Sequence, residues 1–178
     1  MIDLINKGLP GTVLLGGEPF AINTDFRVWM RFCNDFETWD RHGDMDIMYI
    51  FADRVPLLET EEDMVAILDF AYPPTVVPRS HGGDADRILD YKTDADYIYS
   101  AFLGQYGIDL TEMDMHWHKF KALLNGLNSS TKLHDIMGYR CYEGSDKEYT
   151  KLRHIWELPM ELSENDKQTK ERFDSYFD

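Results

Sequence analysis

TDADYIYSAFLGQYGIDLTEMDMHWHKFKALLNGLNSSTKLHDIMGYR, residues 93–140, decides the fold of this chain. Thr93 followed by Asp96 forms a variant of the capping box, and Ile98, Ala101, Phe102 and Tyr106 then fall on one helical face. Gly107 stands where a left-handed cap ends such a helix, with Ile108 placed to pack back on Phe102 or Leu103. Thr111 reads as the start of the next helix, whose Met113, Trp117, Phe120, Leu124 and Leu127 are spaced four, three, four and three apart. That spacing draws one continuous apolar seam. Ser130 opens a short third helix through Leu133, Ile136 and Met137 to Gly138. Three capped helices with almost no reactive side chains predict a scaffold.

Toward the N-terminus, Thr12–Leu15 and Glu18–Ile22 flank Gly16-Gly17, and paired glycines supply the positive φ angles of a tight hairpin turn. Pro19 lacks an N–H, so its strand belongs at an edge. A two-stranded hairpin is marginal alone. Its expected support is the following helix, capped by Asn23 or Thr24, with Phe26, Trp29, Met30, Cys33 and Phe36 on one face. A second helix is predicted from about Asp44 to Asp53 with Ile47, Ile50 and Phe51 inward, stopped by Pro56. Thr60 opens a third, where Glu61, Glu62 and Asp63 favour the positive end of the helix dipole and Met64, Ile67, Leu68 and Ala71 form the buried stripe. Pro73-Pro74 ends it and begins the longest loop, residues 73–92.

Toward the C-terminus, Ser145 and Glu148 form a capping box for a last helix bearing Tyr149, Leu152 and Trp156, closed by Pro159. Residues 161–178, ELSENDKQTKERFDSYFD, show no apolar face until Phe173, Tyr176 and Phe177 and read as an acidic, partly ordered tail. The fold class is therefore mainly α: one helical domain, residues 1–160, of about six to seven helices with a short N-terminal β-hairpin at 12–22.

Composition agrees. A chain of 178 residues falls in the single-domain range, and 43% hydrophobic residues are enough to fill one core and to argue against global disorder. MIDLINKGLP does not resemble a secretory signal and no stretch approaches a membrane span, so a cytosolic protein is expected. The net charge of −15 repels phosphates and argues against direct nucleic-acid binding. The charge is uneven: eleven acids face two bases between Asp35 and Asp69, whereas Lys119–Arg153 carries seven bases and four acids. Two such halves can attract each other within a chain or between copies, although a solvated surface accounts for both.

The sequence holds little that carries chemistry. His116 and His118 flank Trp117, but residues two apart on a helix point in different directions and do not chelate one ion. His42, His81, His134 and His154 have no ligand-spaced partner, and the acids of Asp44/Asp46 and Asp94/Asp96 lack the glycine and distal glutamate of a calcium loop. Gly16-Gly17 lacks the lysine and hydroxyl of a phosphate loop, and there is no GxSxG turn. Cys33 and Cys141 are far apart without CxxC spacing and read as free thiols, with Cys33 poorly ionised on its apolar face. No catalytic residue, cofactor or metal is expected. What remains unusual is the four tryptophans and ten tyrosines, more than one small core can hide. Tyr99, Trp117, Trp156, Phe173, Tyr176 and Phe177 are the candidate partner-binding residues.

The blocks at residues 12–32 and 96–140, with LRHIWELP at 152–159, resemble the gene-product-fifteen family of bacteriophages, found in long-tailed phages and prophages of Gram-positive bacteria. INTDFR (22–27), YGIDL (106–110), HWHKFKALLNGL (116–127) and IMGYR (136–140) carry the resemblance in combination. The chain departs from the pattern at His118, where a second aromatic is expected beside Trp117, and in its acidic tail. The resemblance implies tail morphogenesis in the host bacterial cytoplasm: a tail-assembly chaperone binding the tape-measure protein and/or the major tail-tube protein, with a homo-oligomer possible. Two other readings stay open. One is an acidic DNA mimic inhibiting a host nuclease or DNA-binding protein, resting on the acids of 35–69, and the other a structural virion component. An enzyme would need a buried polar cluster or bound metal.

Overall fold

The structure, a computed structural model, describes residues 2, 5, 8–42, 45–58, 60–73 and 88–159. It opens with strands β1 (Thr12–Leu15) and β2 (Glu18–Ala21), antiparallel in the register Leu15↔Glu18, so that Gly16 and Gly17 alone make the turn, at φ 56° and 83°. Both angles are in the left-handed region that a two-residue hairpin turn needs and that side chains resist. Alternation then puts Val13, Leu15 and Phe20 in the core.

The hairpin's support differs from the sequence expectation. It lies against α2 (Glu61–Ala71), where Asp63 Oδ1 accepts from the Gly16 N–H at 2.9 Å. Its exit strand is lengthened by the 50–52 segment, through Asn23 N–H to Ile50 O at 2.7 Å and Ala52 N–H to Ala21 O at 3.0 Å. This pairing also corrects the helix expected over 44–53. Only a 3₁₀ turn forms, Met48–Ile50, because the Ala52 N–H that would continue a helix is taken by Ala21 O across the chain.

α1 (Phe26–His42) is the central helix as expected, with Phe26, Trp29, Phe32 and Cys33 buried. Its start is set by Asp25, not by Asn23 or Thr24: Asp25 Oδ1 accepts from Arg27 N–H at 2.9 Å, while Asn23 Oδ1 holds the Asp25 N–H at 3.1 Å. α2 carries the full capping box of Thr60 and Asp63. α3 (Ala95–Tyr106) ends at Gly107, φ 67°, whose N–H returns to Leu103 O, and Ile108 N–H reaches Phe102 O. α4 is Trp117–Asn125, α5 Lys132–Arg140 and α6 Lys147–Trp156. Among the described residues, six helices and a two-stranded hairpin make the fold mainly α. No helix among the described residues is long and apolar enough to cross a membrane.

Phe120 is the hub of the core. It stacks on Phe26 with ring centroids 4.9 Å apart, on Phe102 at 5.1 Å and on Trp117 at 5.7 Å, joining α1, α3 and α4. Trp29 meets Phe70 of α2 at 4.4 Å on the other side. Met113 does not join this seam. Thr111 turns its hydroxyl onto Asp109 Oδ1 at 2.6 Å, and 115–117 run extended beside 24–26, so α4 starts at Trp117 and Met113 stays exposed.

Candidate interaction surface

The residues of the four signature pieces tie elements together. From the first, Arg27 donates through Nη2 to Leu110 O at 2.8 Å and Met113 O at 3.1 Å, and Trp29 Nε1, just beyond it, donates to Asn23 O at 2.6 Å. In the second, Tyr106 donates to Leu123 O at 2.8 Å, and Asp109 accepts from Tyr99 at 3.2 Å. The third places three consecutive rings on three carbonyls: His116 Nε2 with Pro10 O at 3.0 Å, Trp117 Nε1 with Ala71 O at 2.8 Å, and His118 Nε2 with Phe70 O at 2.9 Å. The start of α4 is thus pinned to the N-terminal segment and to the end of α2.

His116 and His118 do not diverge as their spacing suggested. His116 precedes the helix as its cap, accepting from His118 N–H through Nδ1 at 3.0 Å, and the two rings lie 5.2 Å apart. An Nδ1 that accepts leaves the proton on Nε2, which donates to Pro10 O. Burial pushes His116 down from its ordinary pKa and His118 down to about 4, so both rings are neutral at pH 7.

The fourth piece ends in Arg140, which is buried. Its guanidinium takes Asp94 by both carboxylate oxygens, at 2.6 and 2.9 Å, and donates to Ile88 O at 2.9 Å and Trp156 O at 2.7 Å. Asp94 Oδ2 also accepts from Asp90 N–H at 2.9 Å, and Asp90 Oδ1 accepts from Lys92 N–H and Thr93 N–H. Thr93 therefore does not form the box expected with Asp96, since the N–H that Asp96 would take is held by Asp90, and the cap position falls one residue on. Asp94 sits at the cap position and turns its side chain to Arg140. Residues 88–92 of the expected loop are accordingly built into the fold, with Asp90 and Tyr91 buried, while 74–87 lie outside the described residues.

Of the candidate partner-binding residues, Trp117 is corrected outright: it is 0% exposed and offers no surface. Tyr99 is half-buried and hydrogen-bonded to Asp109, and Trp156 is half-buried against Tyr97, ring centroids 5.8 Å apart, with the Lys132 ammonium 5.0 Å from its ring. Phe173, Tyr176 and Phe177 lie outside the described residues. Sequence reasoning missed a different surface. Trp39, Leu58, Thr60, Glu61, Met64 and Val65 line an open, mostly apolar trough of about 520 Å³ between the end of α1 and the start of α2. Trp39 is 45% exposed and Val65 54%. The signal was available: Val65 falls off the buried stripe of α2, and Trp39, stacked on Phe36 at 6.3 Å, carries the Phe32–Phe36 stripe of α1 past its last covered ring.

Cys33 and Cys141 are not joined in a disulfide, as read from the sequence, the first being buried and the second exposed. Burial raises the Cys33 thiol to about 11, so it is not a thiolate at neutral pH. Lys121, lowered by burial, donates to the Tyr91 hydroxyl at 3.2 Å and lies over the Trp117 ring, 5.4 Å from its centroid. No group of three or more metal-ligating side chains occurs among the described residues.

The family model for Bacteriophage Gp15 protein matches residues 5–158. The chain belongs to this family. No curated protein and no solved structure matches it. As a Gp15 protein, it carries the carbonyl-bound rings of α4, the Asp94–Arg140 pair and the Trp39 trough all within the matched span, and residues 159–178 lie beyond that span.

Proposed function

We propose that this Gp15 protein serves phage tail morphogenesis as an assembly chaperone of the host bacterial cytoplasm, acting by binding and not by catalysis. Its partners on this reading are the tape-measure protein and/or the major tail-tube protein. Membership of a bacteriophage family across residues 5–158 is the observation that supports it. The surface is compatible: a negatively charged chain with an exposed apolar trough can cover an apolar helical stripe on a partner and keep it soluble. The DNA-mimic reading is weakened by where the acids of 35–69 point. Asp63 is buried in its capping box and Asp35 is engaged by Arg31 and Tyr49, so neither extends a row of free carboxylates.

Co-expression with a tape-measure protein from the same phage or prophage tests the proposal. The expected result is a rise in that partner's soluble fraction and co-elution of both chains from a sizing column. Two polypeptides that elute independently, with the partner no more soluble than alone, overturn it.

A further inference from the structure

The exposed face of α2 carries Glu61, Val65 and Asp69 at i, i+4 and i+8, with Glu62 beside them. None of these carboxylates has an ion-pair partner among the described residues. Glu61 thus rims the apolar trough at the start of α2, and Asp69 continues the acidic face two turns further on. α6 has the opposite character. It buries no residue completely, and its exposed face carries Lys147, Lys151 and Ile155 at the same i, i+4, i+8 spacing, Ile155 being 60% exposed. Tyr149, two residues from Lys147 and from Lys151, is turned to the other side of the helix, where it packs on Tyr139 at 6.2 Å and Tyr142 at 5.0 Å. Within one copy α6 packs on α5, while α2 packs on the hairpin and α1, so these two stripes face solvent and do not satisfy each other.

We propose that the basic face of α6 in one copy docks antiparallel along α2 of another, Ile155 entering the Trp39–Val65 trough beside Glu61 while Lys147 reaches Asp69 and Lys151 lies over Val65 between the two acids. Two helical stripes of matching period and opposite charge are what an amphipathic helix and its groove require. Because the patches are unlike, the contact is head-to-tail, leaving a free trough at one end and a free α6 at the other, and it propagates into a ring or an open chain. The net charge of −15 opposes association of copies, so the contact depends on salt: at physiological ionic strength the Debye length of about 8 Å screens the distant charges, while pairs in contact are screened less. The inference does not rest on the chaperone reading and survives its failure.

Sedimentation velocity of the full chain in 0.15 M salt across a concentration series tests it. The weight-average mass should climb from 20.9 kDa through dimer to larger species, with a blue shift of Trp39 emission that Trp39→Phe removes. K147E/K151E and E61K/D69K, each confirmed folded by circular dichroism, should each weaken association by about tenfold or more, and their equimolar mixture should restore it. Val65→Asp, at an exposed position where folding tolerates the change, gives an independent block of the trough. A wild-type chain that stays monomeric throughout overturns the proposal, as does a mixture of the two swaps that stays monomeric. If the trough is instead filled by the chain's own residues 160–178, truncation after Pro159 shifts monomer Trp39 emission to the red, and that result also overturns it.

Discussion

His118 shows how one residue can be both legible and misread. Its position beside Trp117 marks it as unusual, but its chemistry follows from burial. The ring is 4% exposed and donates to Phe70 O at 2.9 Å, so protonation would place a charge in a site that has replaced water with apolar neighbours. Its folded pKa of about 4 lies below the ordinary value of 6.5 that the unfolded chain keeps. The unfolded state therefore binds the proton first as pH falls, and stability is full above pH 6.5 and declines toward pH 4. At 1.36 kcal/mol per pKa unit the loss reaches about 3 kcal/mol. Urea unfolding between pH 7 and 4 checks this: His118→Asn, which keeps a donor for Phe70 O, should flatten the slope relative to wild type, and an unchanged slope refutes the assignment. Trp117 was misplaced for a related reason. A count of aromatics says how many exceed a core of typical size, but which one is buried depends on whether its N–H finds an acceptor, and Ala71 O, 46 positions away in sequence, supplies it.

Elements were legible where one residue decides them alone and blurred where several adjacent residues can play the same part. Gly16-Gly17 and Gly107 have no competitors for a positive φ, and the hairpin turn and the end of α3 fall where they were read. Caps are different. Ser130 lost to Thr131, and Ser145 to Asp146 whose Oδ1 takes both Glu148 and Tyr149 N–H. Asp, Ser, Thr and Asn all cap well, so sequence alone leaves the start loose by a residue or more. Asp63 shows an element joined to another by a single side chain. It completes the box with Thr60 and also accepts the hairpin's Gly16 N–H, two functions in a residue only 5% exposed. Thr60→Ala should cost about 1 kcal/mol, the ordinary loss of a cap. Asp63→Ala should cost about 2–3 kcal/mol, because it also leaves a hairpin N–H without its partner. Thermal denaturation of both variants decides it, and equal losses would mean that the Gly16 contact contributes nothing.

At the scale of the molecule, the described residues divide into a core that closes around Phe120, which α5 joins through Leu133, and a last helix, α6, attached largely through polar contacts. α5 buries Leu133 and Ile136, but α6 buries no side chain completely, so hydrophobic burial contributes little to holding it. Arg140 supplies the attachment. Its Nε holds Trp156 O at the end of α6, one Nη holds Ile88 O, and both Nη hold Asp94 at the start of α3, so the 88–94 turn and the end of α6 converge on one guanidinium of α5. This convergence was illegible in the sequence because the pair is 46 residues apart and nothing local marks Asp94 as more than a helix-start acid. Breaking a buried pair by removing one partner leaves the other charge uncompensated, at about 3–5 kcal/mol, so Arg140→Met should destabilise by that amount and Asp94→Asn/Arg140→Met by less. Amide hydrogen exchange shows where the loss falls. In the wild type, 147–156 should exchange faster than α1 or α4, because few buried contacts resist its local opening. In Arg140→Met, 88–94 and 147–156 should lose protection together while the hairpin and α1 keep theirs, since the guanidinium is what couples the first two segments. Loss confined to α5, or spread evenly over the chain, would show that α6 and the 88–94 turn are held by packing and that Arg140 is not the latch.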